Sequence, residues 1–140
     1  DGGTVGIGAG VVWSSGAVLT LNGGTGILNS APSVLALSNG SQATIGTDNL
    51  TWATITAQGG CTLTYLAGGV ITNLTLTTSS SLDKSQDARA LTITNSTLDG
   101  DSCFVNDPLN CVTFTNATSV KQQVSGGPVR FTGTRTVKVT

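Results

Sequence analysis

Short runs in which apolar residues alternate with threonine recur along this chain and constrain its fold more than any other feature. Clear examples are LTLT at 74–77 and LTIT at 91–94. This alternation has the two-residue period of a β-strand, because successive side chains of a strand point to opposite faces. Most of the runs end in Gly, Asn or Ser, which favour turns. The runs start near residues 18, 34, 53, 62, 74, 91, 112 and 129.

These runs predict a single all-β domain over residues 1–140, and we favour a parallel β-solenoid of short threonine-rich rungs. The spacing of the runs is irregular, and a solenoid tolerates this because extra residues can bulge at its corners. An antiparallel β-sandwich or jelly roll is the alternative, since hairpins produce the same alternation. No helix is expected, because Glu is absent and no segment shows a capped helical period.

The same alternation predicts which side chains form the core. In three of the runs the apolar residues should point inward: Leu74, Leu76, Leu91, Ile93, Val112 and Phe114. The intervening threonines should point outward: Thr75, Thr77, Thr92, Thr94, Thr113 and Thr115. Residues 79–90 interrupt the runs and are expected to form a polar excursion, which the charges of Asp83, Lys84, Asp87 and Arg89 would keep in water.

The charge of the chain argues against two classes of partner. Only 9% of the residues are charged, against about 25% in an ordinary globular domain. The net charge is −1 and every basic residue lies between Lys84 and Lys138. Such a chain offers no basic field to a phosphate backbone, so nucleic-acid binding is not expected. No apolar run approaches the roughly 18 residues of a membrane span.

Support for catalysis is weak, and we expect neither enzymatic activity nor a cofactor. The chain has no His and no Glu, so general acid–base chemistry would depend mainly on pairs of Asp. Asp83 and Asp87 form one such pair, and Asp99 and Asp101 form another. We interpret the second pair as part of a turn in the first place, because Asp side chains form hydrogen bonds with nearby backbone amides. It is also a weak candidate for a calcium site, which would need further oxygen ligands.

Three cysteines bear on the compartment of the protein. Cys103 and Cys111 flank an Asn-Asp-Pro turn, and a disulfide between them is a candidate that would indicate an oxidising environment. The alternative is that Cys61, Cys103 and Cys111 are small apolar residues of a β core. The chain begins at Asp1 rather than Met, which we interpret as a processed secreted protein or a piece of a longer one.

Two recurring short motifs suggest surface roles. Five asparagines lie in N-x-S/T sequons and are candidates for glycosylation, with ordinary turn asparagines as the alternative: Asn39, Asn49, Asn73, Asn95 and Asn116. Thr-x-Thr motifs at 54–56, 62–64, 75–77, 92–94 and 113–115 are reminiscent of ice-binding faces, although threonine is also the ordinary exposed residue of a strand.

The segments GAVLTLNGGTGILNS and DARALTITNSTLDGDS resemble rungs of β-helical surface proteins: bacteriophage tail fibres, tailspikes and head-decoration proteins, and autotransporter passengers. The resemblance implies a rigid, homo-oligomeric structural part on a virion or cell surface, in contact with copies of itself or with other surface proteins. The alternatives are a secreted subunit that polymerises into an extracellular filament by strand exchange, and an ice- or glycan-binding module.

The end of the chain carries the expected assembly contacts. Residues 129–140 read as one full-length strand with a mostly apolar face formed by Phe131, Val137 and Val139. No turn follows this strand to cover its edge. Such an edge tends to pair with another chain, so we expect these residues to contact neighbouring copies.

Overall fold

The computed structural model describes residues 3–99, 103–121, 130–131 and 137–139. These residues form fourteen β-strands. In chain order the strands are β1 (Thr4–Ile7), β2 (Val18–Asn22), β3 (Thr25–Leu28), β4 (Val34–Ser38), β5 (Gln42–Ile45), β6 (Leu50–Ala57), β7 (Thr62–Tyr65), β8 (Gly69–Leu76), β9 (Ser81–Asp83), β10 (Leu91–Asp99), β11 (Phe104–Asn106), β12 (Val112–Lys121), β13 (Arg130–Phe131) and β14 (Val137–Val139).

Successive strands alternate between two seven-stranded sheets, as the solenoid prediction requires. The odd-numbered strands form sheet A in the order β1-β3-β5-β7-β9-β11-β13, and the even-numbered strands form sheet B in the order β2-β4-β6-β8-β10-β12-β14. All pairs in both sheets are parallel. A jelly roll or other antiparallel sandwich is therefore excluded, and the chain is a parallel β-solenoid.

Rung length varies along the coil. Val18 pairs with Val34, an offset of 16 residues, whereas Phe104 pairs with Arg130, an offset of 26 residues. The strands stay in register despite this variation, because the extra residues lie in the connections. This explains why the alternating runs of the sequence are irregularly spaced.

The core consists of apolar residues that stack in register from rung to rung. In sheet B one such column contains Leu35, Ile55 and Leu74, and in sheet A another contains Leu28 and Ile45. All five are no more than 1% exposed. The expected inward set is confirmed, since these six residues are buried: Leu74, Leu76, Leu91, Ile93, Val112 and Phe114. None of the six threonines expected on the outside is buried.

The long strands of sheet B bend in the middle. Trp52 pairs with Ile71 and Thr54 pairs with Asn73, but the residue between them on each strand is skipped. In β6 neither Ala53 nor Thr54 is buried, and buried residues flank them on both sides. Two adjacent outward residues break the strict alternation and turn the strand, so each long strand contributes to two outer surfaces.

Three successive connections from sheet B to sheet A are short and similar to one another. We call the stack of segments 39–41, 58–61 and 77–80 the backbone corner. Backbone hydrogen bonds join its rungs, from Gly40 N to Gly59 O and from Gly60 N to Thr78 O, each 2.8 Å long. Each segment contains two adjacent residues with positive φ, the left-handed region that glycine and asparagine tolerate best. The three pairs are Asn39–Gly40, Gly59–Gly60 and Thr78–Ser79.

The connections from sheet A to sheet B vary more in length and composition. We call the stack of segments 46–49, 66–68, 84–90 and 107–111 the charged corner, because it carries Asp48, Lys84, Asp87, Arg89 and Asp107.

Two expectations about local structure need correction. The excursion expected over residues 79–90 is shorter, because Ser81–Asp83 form β9 and only 84–90 leave the sheet. The run expected as one strand over residues 129–140 contributes to both sheets, through β13 in sheet A and β14 in sheet B. Both errors arise because a very short strand has too few residues to show an alternating pattern.

Among the residues that the structure describes, there is no helix with the length and apolar character needed to cross a membrane.

Candidate functional site

The charged corner gathers the ionisable chemistry of the described chain. The charged residues whose side chains the structure describes all lie in it or at its boundary, where Asp83 ends β9. This placement makes the charged corner the first candidate for a functional site. Its chemistry depends on whether these groups face a ligand or one another.

Lys84 is the central group of the charged corner and is fully buried. Its Nζ donates to the backbone oxygen of Asp87 at 2.6 Å and to Asp87 Oδ1 at 2.8 Å. The expectation that Lys84 keeps the excursion in water is therefore wrong. Segment 84–90 instead folds over the ammonium group and supplies the anion that compensates it, as a buried charge requires.

Arg89 ties three segments of the charged corner together. Its guanidinium donates to Asp48 Oδ2, to the backbone oxygen of Leu66 at 2.6 Å and to Asp87 Oδ2 at 2.8 Å. Hydrogen bonds from Arg89, followed by those from Lys84, hold the pKa of the Asp87 carboxyl far below its usual range. Asp87 is therefore a permanently ionised link between two cations and cannot act as a general acid near neutral pH.

Asp107 closes the last described segment of the charged corner. Its Oδ1 accepts from the backbone N–H of Cys111 and its Oδ2 accepts from that of Val112, both at 3.0 Å. The Cys111 thiol also donates to Asp107 Oδ1 at 3.2 Å. Burial, and then the hydrogen bond to Asp107, raise the pKa of this thiol. Cys111 is therefore protonated near neutral pH and is a poor nucleophile.

The predicted carboxylate pair Asp83 and Asp87 does not form a shared site. Asp83 Oδ1 accepts from the backbone N–H of Ser85 at 3.0 Å and from Asn106 Nδ2 at 3.1 Å, whereas Asp87 is bound to Lys84 and Arg89. Each carboxylate thus has its own set of partners within the protein. The arrangement holds rungs together and presents no pair of carboxylates to a substrate.

The disulfide expected between Cys103 and Cys111 is not formed in the structure, where the two sulfur atoms have separate oxygen neighbours. Cys103 Sγ donates to the backbone oxygen of Leu76 at 3.3 Å, whereas Cys111 Sγ lies 3.3 Å from the backbone oxygen of Asp87, an acceptor that competes with Asp107 Oδ1 for its one hydrogen. The separation has a topological reason. Cys103 precedes β11 and Cys111 follows it, so the two residues lie at opposite ends of this strand.

Cys61 is a fully buried residue of the core, as the alternative to a disulfide expects, and it also closes a turn. It occupies the last position of segment 58–61, as Ser41 does in 39–41. Cys61 Sγ donates to the backbone oxygen of Gln58, and Ser41 Oγ likewise donates to Ser38 O, three residues earlier. Cysteine and serine are therefore equivalent at this position, where a small hydrogen-bond donor closes the turn.

The weak calcium candidate Asp99 and Asp101 lies outside the side chains that the structure describes. Within the described ranges no cluster of three or more Cys, Asp, His or Glu residues could hold a metal ion.

The five sequon asparagines fall into two structural groups. Asn39 and Asn49 occupy exposed turns with positive φ. Asn73, Asn95 and Asn116 are register partners on adjacent long strands of sheet B. Asn73 Nδ2 donates to Ala53 O at 3.0 Å and Asn95 Nδ2 donates to Asn73 Oδ1 at 3.1 Å. A side-chain ladder thus accounts for part of the sequon pattern without glycosylation.

The Thr-x-Thr motifs do not form one array. The motif at 62–64 lies on sheet A, those at 54–56 and 75–77 lie after the bend of sheet B, and those at 92–94 and 113–115 lie before it. Two pairs of motifs stack on each other, 92–94 on 113–115 through Thr92 and Thr113, and 54–56 on 75–77 through Thr56 and Thr75. Threonine therefore serves as the outward residue on several surfaces.

The two most buried aromatic residues belong to the core rather than to a binding platform. Trp52 and Tyr65 are both fully buried. Burial raises the pKa of Tyr65 to about 12, so its hydroxyl is neutral at physiological pH. Trp13 is partly buried, and its Nε1 donates to Ser30 Oγ at 2.9 Å. The burial of Trp52 prevents it from stacking on a ligand.

The N-terminal end of the solenoid is the second candidate site. β1 and β2 are the edge strands of their sheets at this end, and nothing in the described part of the chain pairs with their outer sides. Val5, Ile7 and Leu19 occupy core positions there but are only partly buried. A groove of about 260 Å³ between the two strands is lined by Val5, Leu19 and Leu21, among others.

Comparison of this chain with protein-family models, with curated proteins and with solved structures gives no match.

Proposed function

We propose that this protein is a non-enzymatic structural component of a virion or cell surface that assembles with copies of itself. The observation that supports this proposal most directly lies at the N-terminal end of the coil. There β1 and β2 are the edge strands of the described sheets, and their core residues are only partly buried. Unpaired parallel edges with apolar core positions favour association, because pairing satisfies backbone groups and removes apolar surface from water.

The chemistry of the charged corner supports a structural role. Its cations and anions are paired with one another, and its thiol is protonated. Ion pairs that join neighbouring rungs make the coil more rigid. Rigidity is what an external fibre, spike or decoration protein needs.

A secreted filament subunit is the second candidate function, favoured because, among the described strands, β1 and β2 at one end and β13 and β14 at the other have a neighbour on one side only. The difference between the two candidates lies in what surrounds the protein. A virion component would be found on capsids or tails, whereas a filament subunit would form bare fibres.

Electron microscopy and light scattering of the purified chain test this proposal. We expect concentration-dependent assemblies, and we expect deletion of residues 129–140, which removes β13 and β14, to reduce them before the rest of the solenoid unfolds. Circular dichroism of the truncated chain provides the folding control. A stable monomer of the intact chain at high concentration would contradict the proposal.

A further inference from the structure

We propose that copies of this chain stack head to tail, with β13 and β14 of one copy pairing in parallel with β1 and β2 of the next. This inference rests on the proposed function and names the surfaces that would form the contact. The two sheets continue in parallel from their first strands to their last, with register shifts in the pairs β10–β12 and β12–β14 of sheet B.

One column of register partners in sheet B shows the match. It begins at the partly buried Leu19, and its last register partner is Val139. Between them the register passes through Leu35, Ile55, Leu74, Ser96 and Ala117. A second copy placed one rung before β2 in the same register would set its Val139 against Leu19. This would continue the column by one more apolar position.

Sheet A has a similar column of register partners, but the residue at its end is larger. Its column begins at Val5 and ends at Phe131. The intervening positions are Gly26, Ala43, Leu63, Leu82 and Val105. Continuing this register sets a large residue, Phe131, at the position next to Val5, beside the groove of about 260 Å³. Placing one further copy at the N-terminal end would extend sheet A and sheet B at the same time, because the first and last strands of both sheets belong to the same coil.

Charge favours this orientation over a contact between two C-terminal ends. Residues 108–140 contain Lys121, Arg130, Arg135 and Lys138 and no acidic residue, whereas residues 1–47 contain one charged residue, Asp1. Two basic ends would repel each other, and a basic end would meet no like charge at the N-terminal edge. A head-to-tail contact is heterologous, so it generates an open filament unless rotation closes a ring.

Two edge variants separate this arrangement from its alternatives. Leu19→Lys blocks the N-terminal end and Val139→Lys blocks the C-terminal end of the full chain. Sedimentation velocity should show that each variant alone associates at least about tenfold more weakly than the native chain. An equimolar mixture should form a discrete 1:1 dimer, because one unblocked N-terminal edge and one unblocked C-terminal edge survive in the mixture.

Ile27→Lys is the matched control, since Ile27 is 50% exposed on β3 and lies outside both edge strands. It should assemble like the native chain. Circular dichroism checks that each variant folds, and Val5→Lys replaces Leu19→Lys if the latter does not. If Val139→Lys alone still forms dimers, the N-terminal ends pair with each other and the head-to-tail inference fails while self-assembly stands. If the native chain is monomeric, the head-to-tail inference and the proposed self-assembly both fail.

Discussion

The backbone corner and the charged corner close the same rungs by different physical means. At the backbone corner the chain turns through paired positive-φ residues, and main-chain hydrogen bonds link one rung to the next. At the charged corner side chains perform the linking, and Arg89 alone connects three segments. The first mechanism depends on local conformation, and the second depends on residues that are far apart in sequence.

The difference explains where the solenoid accepts insertions. A turn made from two left-handed residues has a fixed geometry, so segments 58–61 and 77–80 are alike. A side-chain linkage sets no such limit, and at the charged corner segment 66–68 stacks beside the longer segment 84–90. From β4 to β10, the length of the connections therefore varies more at the charged corner than at the backbone corner. Five predictions test this comparison, from the largest expected effect to the smallest.

The largest effect is expected from removing the anion that compensates Lys84. Asp87→Ala should lower the free energy of unfolding by about 3 kcal/mol, because it leaves a fully buried ammonium group without its carboxylate. The double variant Lys84→Met with Asp87→Ala should be more stable than Asp87→Ala alone. Urea denaturation measures both. Equal stability of the single and double variants would show that Lys84 does not depend on this pairing.

The same carboxylate predicts the response to acid. The pKa of Asp87 is depressed, so its contribution to stability is present above its ordinary value of 3.8 and is lost as the pH falls below that value. Thermal melts of the native chain should therefore show a loss of stability below about pH 4. Asp87→Asn should show a smaller loss over the same range.

The next largest change in stability is expected from Tyr65, the last residue of β7, which leads into segment 66–68 of the charged corner. Its pKa is raised from 10.0 to about 12, so above pH 10 the unfolded chain ionises while the folded chain does not. The free energy of unfolding should therefore fall between these two values. Tyr65 is the only tyrosine in the chain, so tyrosinate absorbance reports it alone. A midpoint near 10 in the folded protein would contradict its burial, and Tyr65→Phe should remove the alkaline loss.

At the backbone corner two opposite substitutions should have opposite effects. Gly60 has a φ of 75° with open space around its Cβ position, so Gly60→Ala should destabilise the fold by about 1 kcal/mol through backbone strain alone. Thr78 is a β-branched residue with a φ of 52°, so Thr78→Gly should stabilise by up to about 1 kcal/mol. Differential scanning calorimetry measures both, and equal signs would refute the conformational explanation.

The smallest effect is expected for Cys61→Ser. A serine hydroxyl can donate to Gln58 O as the thiol does, and Ser41 already holds the equivalent position. The change in stability should stay within about 1 kcal/mol. Cys61→Val, which has a similar size but no donor, is the control and should cost more. If serine costs more than valine, burial rather than hydrogen bonding determines this position.

Much of the fold is predictable from the sequence, because alternation is a local property. The period-two runs identify strands such as β2, β4, β7, β10 and β12 at their observed starting residues. They fail for β9 and β11, which have three residues each. They also fail for β3, where Gly26 occupies an inward position and provides no apolar side chain to reveal the pattern.

The candidate sites are less predictable. Asp48 and Arg89 are 41 residues apart, and only the stacking of rungs brings them together. The same holds for the asparagine ladder, whose members look like separate sequons in the sequence. The sequence also suggested a disulfide from the short separation of Cys103 and Cys111. It could not show that a strand would carry the two thiols to opposite corners.

The sequence by itself determined that this protein is an all-β fold whose strands point apolar residues inward and threonine outward. Side-chain alternation and the turn residues act over a few positions and need no distant partner. Only the tertiary structure decided the parallel register, the burial of Lys84 and the uncovered positions of Val5 and Leu19. These depend on which rung lies above and below each residue, because burial and charge compensation are properties of neighbours in space.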